Sequence, residues 1–520
     1  VSLQQPAAVI ILAAGAGTRM NSATPKVLHS IAGRSLLHHA IVAAQGVEPA
    51  RLVVVVRHER QAVADAVAEI APQALIADQD EIPGTGRAVY CGLSALDATA
   101  MAAAVAQGVG EEARNTRATG AVLVTSADVP LVDAEVLSAL AREHESSGNA
   151  VTIVTARVPD AGLYGRIVRG PDGSVLRVVE AKDAADAELA IDEINAGLYV
   201  FDADALRTAL ASVGRDNAQR EMYLTDVIEI VRDGGGRVGA FVAPEAEAVE
   251  GVNDRVQLAK AAAVLNTTIL EHWMRAGVTI VDPATTWIDA AVELARDVTI
   301  LPGTQLKGAT LVHAGASVGP DTTLTDVEVG ERATVVRTHA ELAVIGADAS
   351  VGPFAHLRPG AVLGAGGKIG EFVGVKNSVI GEGAKVPHLS YVGDAEIGEG
   401  TNVGAGTIFV NYDGVNKHRT TVGRHVRVGS DNTLIAPLVI GDGAYTGAGA
   451  TVRHDVPPGA LAINSSPQQT IEGWVERRRP GTASADAAAG HAATGDEALS
   501  SGAREERRAA EQGSPAHNKG

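Results

Sequence analysis

The sequence predicts two folds in one chain: an α/β sandwich over residues 1–253 and a parallel β-helix over residues 277–479. A long helix at 254–276 joins them, and a disordered tail fills 480–520. Three observations carry this reading. Short aliphatic runs alternate with helix-like segments in the first half. One segment then repeats its apolar residues at steps of three and four. The second half places aliphatic residues six apart, each usually followed by glycine or another small residue.

In the first half, residues 7–13, 52–56, 121–125 and 151–156 are aliphatic and do not alternate with polar residues. Such runs suit strands buried on both faces of a parallel sheet. Between them, residues 61–70, 88–96 and 134–143 carry helical spacing, and the alternation predicts a layered α/β fold. Residues 97–119 are Ala-rich, Gly-punctuated and charged, and read as a partly helical surface insertion. In the joining segment, Leu258, Ala262, Leu265, Ile269 and Trp273 mark one helical face, and Gly277 ends it.

In the second half, Val422, Val428, Leu434, Ile440, Thr446 and Val452 recur every six residues. Ile380, Ile397 and Val403 follow the same pattern, with a slip near Tyr391. A six-residue period is not helical; it marks a β-helix of hexapeptides whose aliphatic residues stack inward. Small residues turn the corners, which accounts for 58 glycines and only 3% aromatic residues. Spacing does not fix the hand of the coil, and the general crossover rule favours a right-handed one. The period breaks at Asn411-Tyr-Asp-Gly-Val-Asn-Lys-His-Arg419, a polar loop leaving a regular solenoid and hence a candidate functional segment. Past Pro480 large apolar residues nearly vanish, which predicts disorder.

A formal net charge of −19 argues against general nucleic-acid binding and against an anionic membrane surface. Local cations can still serve an anionic small substrate. Cys91 is the only cysteine, so no intrachain disulfide forms; on its predicted helix it reads as a small core residue. No cationic leader with an apolar segment opens the sequence, and no run of 18 apolar residues occurs in it. A soluble, cytoplasmic protein is expected.

The stretch from Leu12 to Lys26 raises the chemical question. A strand running into a Gly-rich turn offers backbone N–H groups to a phosphate, and Arg19 and Lys26 add charge. The stretch is neither a Walker A loop nor a G-x-G-x-x-G fingerprint, so a phosphate cradle and a plain tight turn both remain open at this point. Other strings follow in order: Gln79 before Gly84-Thr85-Gly86, Ser126-Ala127-Asp128-Val-Pro-Leu131, Tyr164-Gly165-Arg166, Val179-Glu180, Asn195-Ala-Gly197 and Gly251-Val-Asn253.

Together these strings resemble the signature of sugar-phosphate nucleotidyltransferases. With the hexapeptide half attached, residues 7–478 resemble a bacterial bifunctional family: N-acetylglucosamine-1-phosphate uridylyltransferase and glucosamine-1-phosphate N-acetyltransferase. The resemblance implies a Rossmann-like first domain (1–253) and a left-handed β-helix acetyltransferase domain (277–479), against the generic hand. It also implies a homotrimer formed through the β-helix and a place in peptidoglycan synthesis, cell wall biogenesis and cell shape. The substrates implied are sugar phosphates, UTP and acetyl-CoA, with Mg²⁺ as cofactor, and neither nucleic acid nor membrane.

For uridylyl transfer, the resemblance assigns Mg²⁺ to Asp128 and Asn253 and gives Arg19 and Lys26 charge-stabilising roles. Leu12, Ala13, Ala14, Gly15, Gln79, Gly84, Thr85, Ser126 and Ala127 would hold the nucleotide. Gly165, Glu180 and Asn195 would hold the sugar. For acetyl transfer, Pro387-His388-Leu-Ser-Tyr391 matches the motif of the general base, which implies His388. Arg358 and Lys376 would take the sugar phosphate, Tyr391 and Asn402 the sugar, and Ala405, Asn411, Tyr412, Ser430 and Ala448 acetyl-CoA. The chain departs from the commonest forms at Ala127 (usually Gly), Arg87 (His), Asp254 (Asn), Gly374 (Glu, two before the Lys) and Ser465 (Arg in some members). The nearest alternative is a nucleotidyltransferase with one activity and a structural β-helix, and His388 with the 411–419 loop discriminates against it. A non-catalytic nucleotide sensor is discriminated against by intact Arg19, Lys26, Asp128 and Asn253.

Overall fold

The computed structural model describes residues 5–107, 116–464 and 468–493. In the first half, nine strands among the described residues form one sheet. They are β1 (Ala8–Ala13), β2 (Leu52–Val56), β3 (Leu75–Asp78), β4 (Ala121–Ser126), β5 (Val151–Arg157), β6 (Arg166–Arg169), β7 (Val175–Val179), β8 (Glu193–Asp202) and β9 (Val238–Val242). Their order is β9-β5-β8-β4-β1-β2-β3, with β6 joined to β8 and β7. The expected aliphatic runs are all strands, and β1 pairs parallel with β2 and β4.

The expectation of a parallel sheet needs one correction. β8 runs antiparallel to both β4 and β5, with a register shift between Asn195 and Tyr199. Because it runs backwards, β8 begins near the edge where its neighbours end. Asn195 therefore arrives at the carboxyl edge of β4, close to Ser126 and Asp128.

Side chains alternate across the sheet. Val9, Ile11, Val54 and Val56 enter one core with α1 (Leu36–Gln45), α2 (Arg60–Ile70) and α4 (Ala134–Ser147), while α3 (Thr85–Ala106) lies on the other face. There Ile10, Val53 and Val55 pack with Val89 and Leu93. α3 is long and apolar enough by composition to cross a bilayer, yet its Ala88, Val89, Leu93 and Leu96 are buried against the sheet, as in a core helix. Cys91 on this helix is part-buried.

The segment read as an insertion at 97–119 begins as the last turns of α3. Arg207 pins both of its ends, through Asp97 (2.6 and 2.8 Å) and the Ala118 carbonyl. Residues 108–115 lie outside the described residues.

The joining helix, α5, spans Arg255–Arg275. Asp254 caps it, its carboxylate accepting from the Val256 and Gln257 N–H groups at 2.9 Å. Asp and Asn cap about equally well, which explains why Asp254 is tolerated where Asn is common. The expected apolar face divides its work. Leu258, Ala262 and Leu265 pack near Ile31, Leu36 and Val252, whereas Ile269 and Trp273 pack on the β-helix core. Between them Asn266 bonds the Thr286 carbonyl (2.8 Å) and the Ile288 N–H (3.1 Å), fixing the first coil to the helix.

From Thr279 onward the described residues form three parallel stacks of 11, 10 and 9 short strands, a left-handed β-helix. Six-residue steps visit the three faces in turn, and Val422, Val428, Leu434, Ile440, Thr446 and Val452 are all buried. At the corner glycine Gly352, φ is +99° and a Cβ would lie 1.9 Å from the Val336 carbonyl oxygen. Contacts between successive coils span 18 residues in places, but 17 between residues 371 and 411, which is the slip near Tyr391. The coil holding the 411–419 loop spans 25.

Residues through Ala462 form one compact unit and those from Ile463 a second. In the second unit the expected disorder at 480–520 is corrected in part, because Ala483–Ala493 is helical. Seven of its eleven residues are alanine, the strongest helix former. Residues 494–520, and Ser465, lie outside the described residues.

Candidate active sites

A cavity of about 540 Å³ opens where β1 and β4 end. Leu12, Ala13, Ala14, Gly15, Lys26, Gln79, Gly84, Thr85, Ser126, Asp128, Glu180, Asn195 and Asn253 line it, so most of the expected first-site residues converge. At its centre the Lys26 ammonium pairs with the Asp128 carboxylate and donates to Asn253 Oδ1 at 3.2 Å. Two oxygens on one nitrogen are close enough to share a cation. Asn253 is oriented for this, since its Nδ2 donates to the Gly251 carbonyl (3.3 Å) and leaves Oδ1 facing Lys26. The Val252 N–H donates to the Asp128 carbonyl at 2.7 Å, tying the two loops together.

The Gly-rich turn has a steric reason. Gly17 has φ +61°, and a Cβ there would lie 2.5 Å from Lys26 Cβ. Its missing side chain admits Lys26 to the site. Gly15 differs, for a Cβ there meets nothing within 4 Å among the described residues, so its bareness leaves room for a ligand. Gln79 Nε2 donates to the Ile82 (3.0 Å) and Gly84 (3.2 Å) carbonyls and shapes the loop entering α3. Gly84 has φ +117° and approaches the Met222 backbone too closely for any side chain.

At the end of the cavity expected to hold the sugar, Glu180 accepts from Thr225 Oγ1 at 3.1 Å, and burial raises its carboxyl above the ordinary value. Asn195 Oδ1 accepts from the Gly197 N–H (2.9 Å) while its Nδ2 donates to Tyr199 Oη (2.7 Å). Burial also pushes the Tyr199 hydroxyl up, so it stays protonated. The Asn195 N–H donates to the Gly165 carbonyl at 2.9 Å.

Three expected residues stand elsewhere. Ala127 is fully buried in the core, its N–H bonded to the Leu12 carbonyl at 3.0 Å, so its side chain cannot touch a ligand in the cavity. Gly165 acts through its carbonyl rather than on the cavity wall. Arg19 is exposed and has no hydrogen bond or ion pair among the described residues; it stands in a neighbouring hollow with Lys182 and Gln219, and the short turn after Gly17 carries it outward. Arg87, a departure from the family form, turns away to Asp80 and over the Tyr90 ring, 4.4 Å from its centroid.

Sequence reasoning missed Tyr164 and Arg166 as a unit. Buried Arg166 donates to the carbonyls of Ala161 (3.2 Å), Gly162 (3.0 Å) and Tyr164. Tyr164 Oη in turn accepts from the Gly251 N–H at 3.2 Å, beside Asn253. The quoted Tyr-Gly-Arg string was the available signal.

On the β-helix, Arg358 and Lys376 occupy matching positions of adjacent coils, and the Arg358 N–H donates to the Val375 carbonyl (2.8 Å). Tyr391 lies on the same stack, opposite Gly374. Lys376 stands 3.7 Å from Asp394, whose carboxylate also accepts from Asn377 (2.6 Å) and Asn411 (2.5 Å). Burial raises the Asp394 carboxyl, but the bonds from the two asparagines and the charges of Lys376 and Lys417 outweigh it and hold it low. Asp394 thereby fastens the start of the 411–419 loop to Lys376.

His388 is about half exposed, and its Nδ1 lies 2.6 Å from Glu371 Oε1 on the preceding coil. Asn402 pairs with Lys385 on a coil that carries His388 at the end of the same strand. Ala405, Ser430 and Ala448 occupy successive levels of one corner, through Asp431 N–H to Ala405 O (2.6 Å) and Gly449 N–H to Ser430 O (2.9 Å). Tyr412 is exposed on the loop.

Residues 9–222 match the model of MobA-like NTP transferase domains. The bifunctional protein GlmU of Paenarthrobacter aurescens strain TC1 is 55% identical over 480 residues, covering 92% of this chain and 93% of its own. The protein of that name from Kineococcus radiotolerans is 57% identical over 483 residues, 93% of this chain and 94% of its own. Its namesake from Mycolicibacterium vanbaalenii is 56% identical over 484 residues, 92% and 94%.

Proposed function

The chain belongs to the GlmU family of bifunctional proteins, and on that premise we propose that it makes UDP-N-acetylglucosamine at two separate sites. The β-helix transfers acetyl from acetyl-CoA to glucosamine 1-phosphate. The α/β domain then transfers uridylyl from UTP to N-acetylglucosamine 1-phosphate and releases pyrophosphate. Magnesium dependence, assembly as a trimer, a cytoplasmic location and a place in peptidoglycan precursor synthesis belong to the same proposal.

In the first domain a sugar phosphate oxygen attacks the α-phosphorus as the bond to pyrophosphate breaks. No protein nucleophile is required, since positioning and charge supply the catalysis. Lys26 contributes charge inside the cavity, and Arg19 stands at the adjoining hollow. Asp128 and Asn253 offer converging hard oxygens, the donor type Mg²⁺ prefers. Among the described residues no cluster of three or more His, Cys, Asp or Glu is placed to hold a metal. An ion would therefore use these two groups together with substrate phosphates. Once bound, Mg²⁺ would neutralise phosphate charge. The Lys26 ammonium competes with it for the same two oxygens.

At the second site the neutral amine attacks the thioester carbonyl. A carbon–nitrogen bond forms, the carbon–sulfur bond breaks, and the amine proton passes through His388 Nε2 to the leaving thiolate. Arg358 and Lys376, one coil apart, would bind the sugar phosphate. Asp394 would steady Lys376 and the loop that covers acetyl-CoA.

The observation that favours two activities over one is His388, a half-exposed imidazole held by a carboxylate, for which a purely structural β-helix has no use. Two assays test the reading. Acetyl-CoA with glucosamine 1-phosphate is expected to release thiol, and UTP with N-acetylglucosamine 1-phosphate to release pyrophosphate in a Mg²⁺-dependent manner. Silence in the first assay removes the acetyltransferase, and silence in the second removes the uridylyltransferase.

A further inference from the structure

We infer that Glu371 is the positioning residue for His388. The inference rests on the acetyltransferase reading above. The usual pattern has glutamate two residues before Lys376, where this chain has Gly374, and the chain also carries a glutamate at 371.

Register explains how the two residues meet. Glu371 and His388 are direct partners on neighbouring coils, and the Leu389 N–H donates to the Glu371 carbonyl at 3.0 Å. The carboxylate therefore meets the imidazole without leaving its own stack, at 2.6 Å. Position 374 belongs to a different stack, opposite Tyr391, and a Cβ there would lie 3.8 Å from Tyr391 Cδ2. Position 371 is the source of the carboxylate on Nδ1.

A carboxylate accepting from Nδ1–H selects the tautomer whose Nε2 lone pair points away, free to take the amine proton. It then stabilises the imidazolium that forms. Glu371 is ionised for this purpose, since its own backbone N–H and His388 hold its carboxyl below the ordinary range. Lys368, on the same strand, adds its charge in the same sense. Both partners are 40% or more exposed. Exposed pairs contribute little to stability, so removing this one leaves the fold intact and the kinetics report its role.

The test uses the full-length enzyme with Glu371→Gln, alone and combined with His388→Ala. Glu371→Gln is expected to lower kcat for thiol release about tenfold or more. Both KM values should stay within about twofold, and pyrophosphate release should be unchanged. In the His388→Ala background the same substitution should cost nothing further, because its effect acts through the imidazole. Wild-type kcat in Glu371→Gln, or an equal loss in both backgrounds, would overturn the inference. A wild-type enzyme with no acetyl transfer would overturn the proposed function itself, and this inference with it.

Discussion

Replacing Gly17 by alanine tests how the Gly-rich turn serves the first site. The new Cβ would lie 2.5 Å from Lys26 Cβ and 3.4 Å from its Cγ. Carbon atoms in contact prefer about 3.5–4.0 Å, so Lys26 must retreat by about 1 Å. A left-handed φ adds roughly 1–2 kcal/mol for a residue with a side chain. The ammonium that touches Asp128 and Asn253 is then misplaced, and a 1 Å error at a reacting centre costs about 100-fold. We expect kcat/KM for pyrophosphate release to fall by about that factor while thiol release is untouched. Gly15→Ala serves as the control, because its Cβ meets none of the described residues within 4 Å and any loss there reports crowding of the ligand. A folded Gly17→Ala enzyme with wild-type uridylyl transfer would refute the steric argument.

Glu180→Gln should stabilise the protein near pH 7. Burial holds the Glu180 carboxyl above its ordinary 4.5, so folding favours the protonated form and the wild type loses stability as pH rises above 4.5. The amide has no charge to bury, and its advantage in denaturant melts should vanish below pH 4.5. Asp394→Asn removes the anion that holds Lys376 and Asn411 together, so acetyl-CoA and sugar phosphate KM values should both rise with little change in pyrophosphate release. Leu324→Ala empties a fully buried position in the β-helix core and should cost about 2–5 kcal/mol by chemical denaturation.

The β-helix was legible because each rung repeats one physical requirement, an aliphatic residue inward and a small one at the corner. Even its slip was visible near Tyr391. The slip has chemical content, because a 17-residue coil stacks Glu371 on His388, Asn377 on Asp394 and Asp394 on Asn411. Counting 17 back from His388 would have found Glu371. The sandwich was legible in its aliphatic strands and not in β8, where the bulge between Asn195 and Tyr199 breaks the pattern. Ala127 and Arg19 show another limit. Motif position places a residue near a site, but backbone direction decides whether its side chain faces in, as at Lys26, or out, as at Arg19. Gly17 could be read as a turn, yet its reason, the approach of Lys26, exists only in three dimensions.

The division of labour between the two sites is tested most directly by complementation in one tube. Asp128→Asn and His388→Ala are purified separately, and each is supplied with glucosamine 1-phosphate, acetyl-CoA, UTP and Mg²⁺. Neither alone should form UDP-N-acetylglucosamine, and a mixture of the two should form it, because the acetylated sugar made by one is released and used by the other. A mixture that stays inactive, or a single variant that makes the final product, would contradict the account.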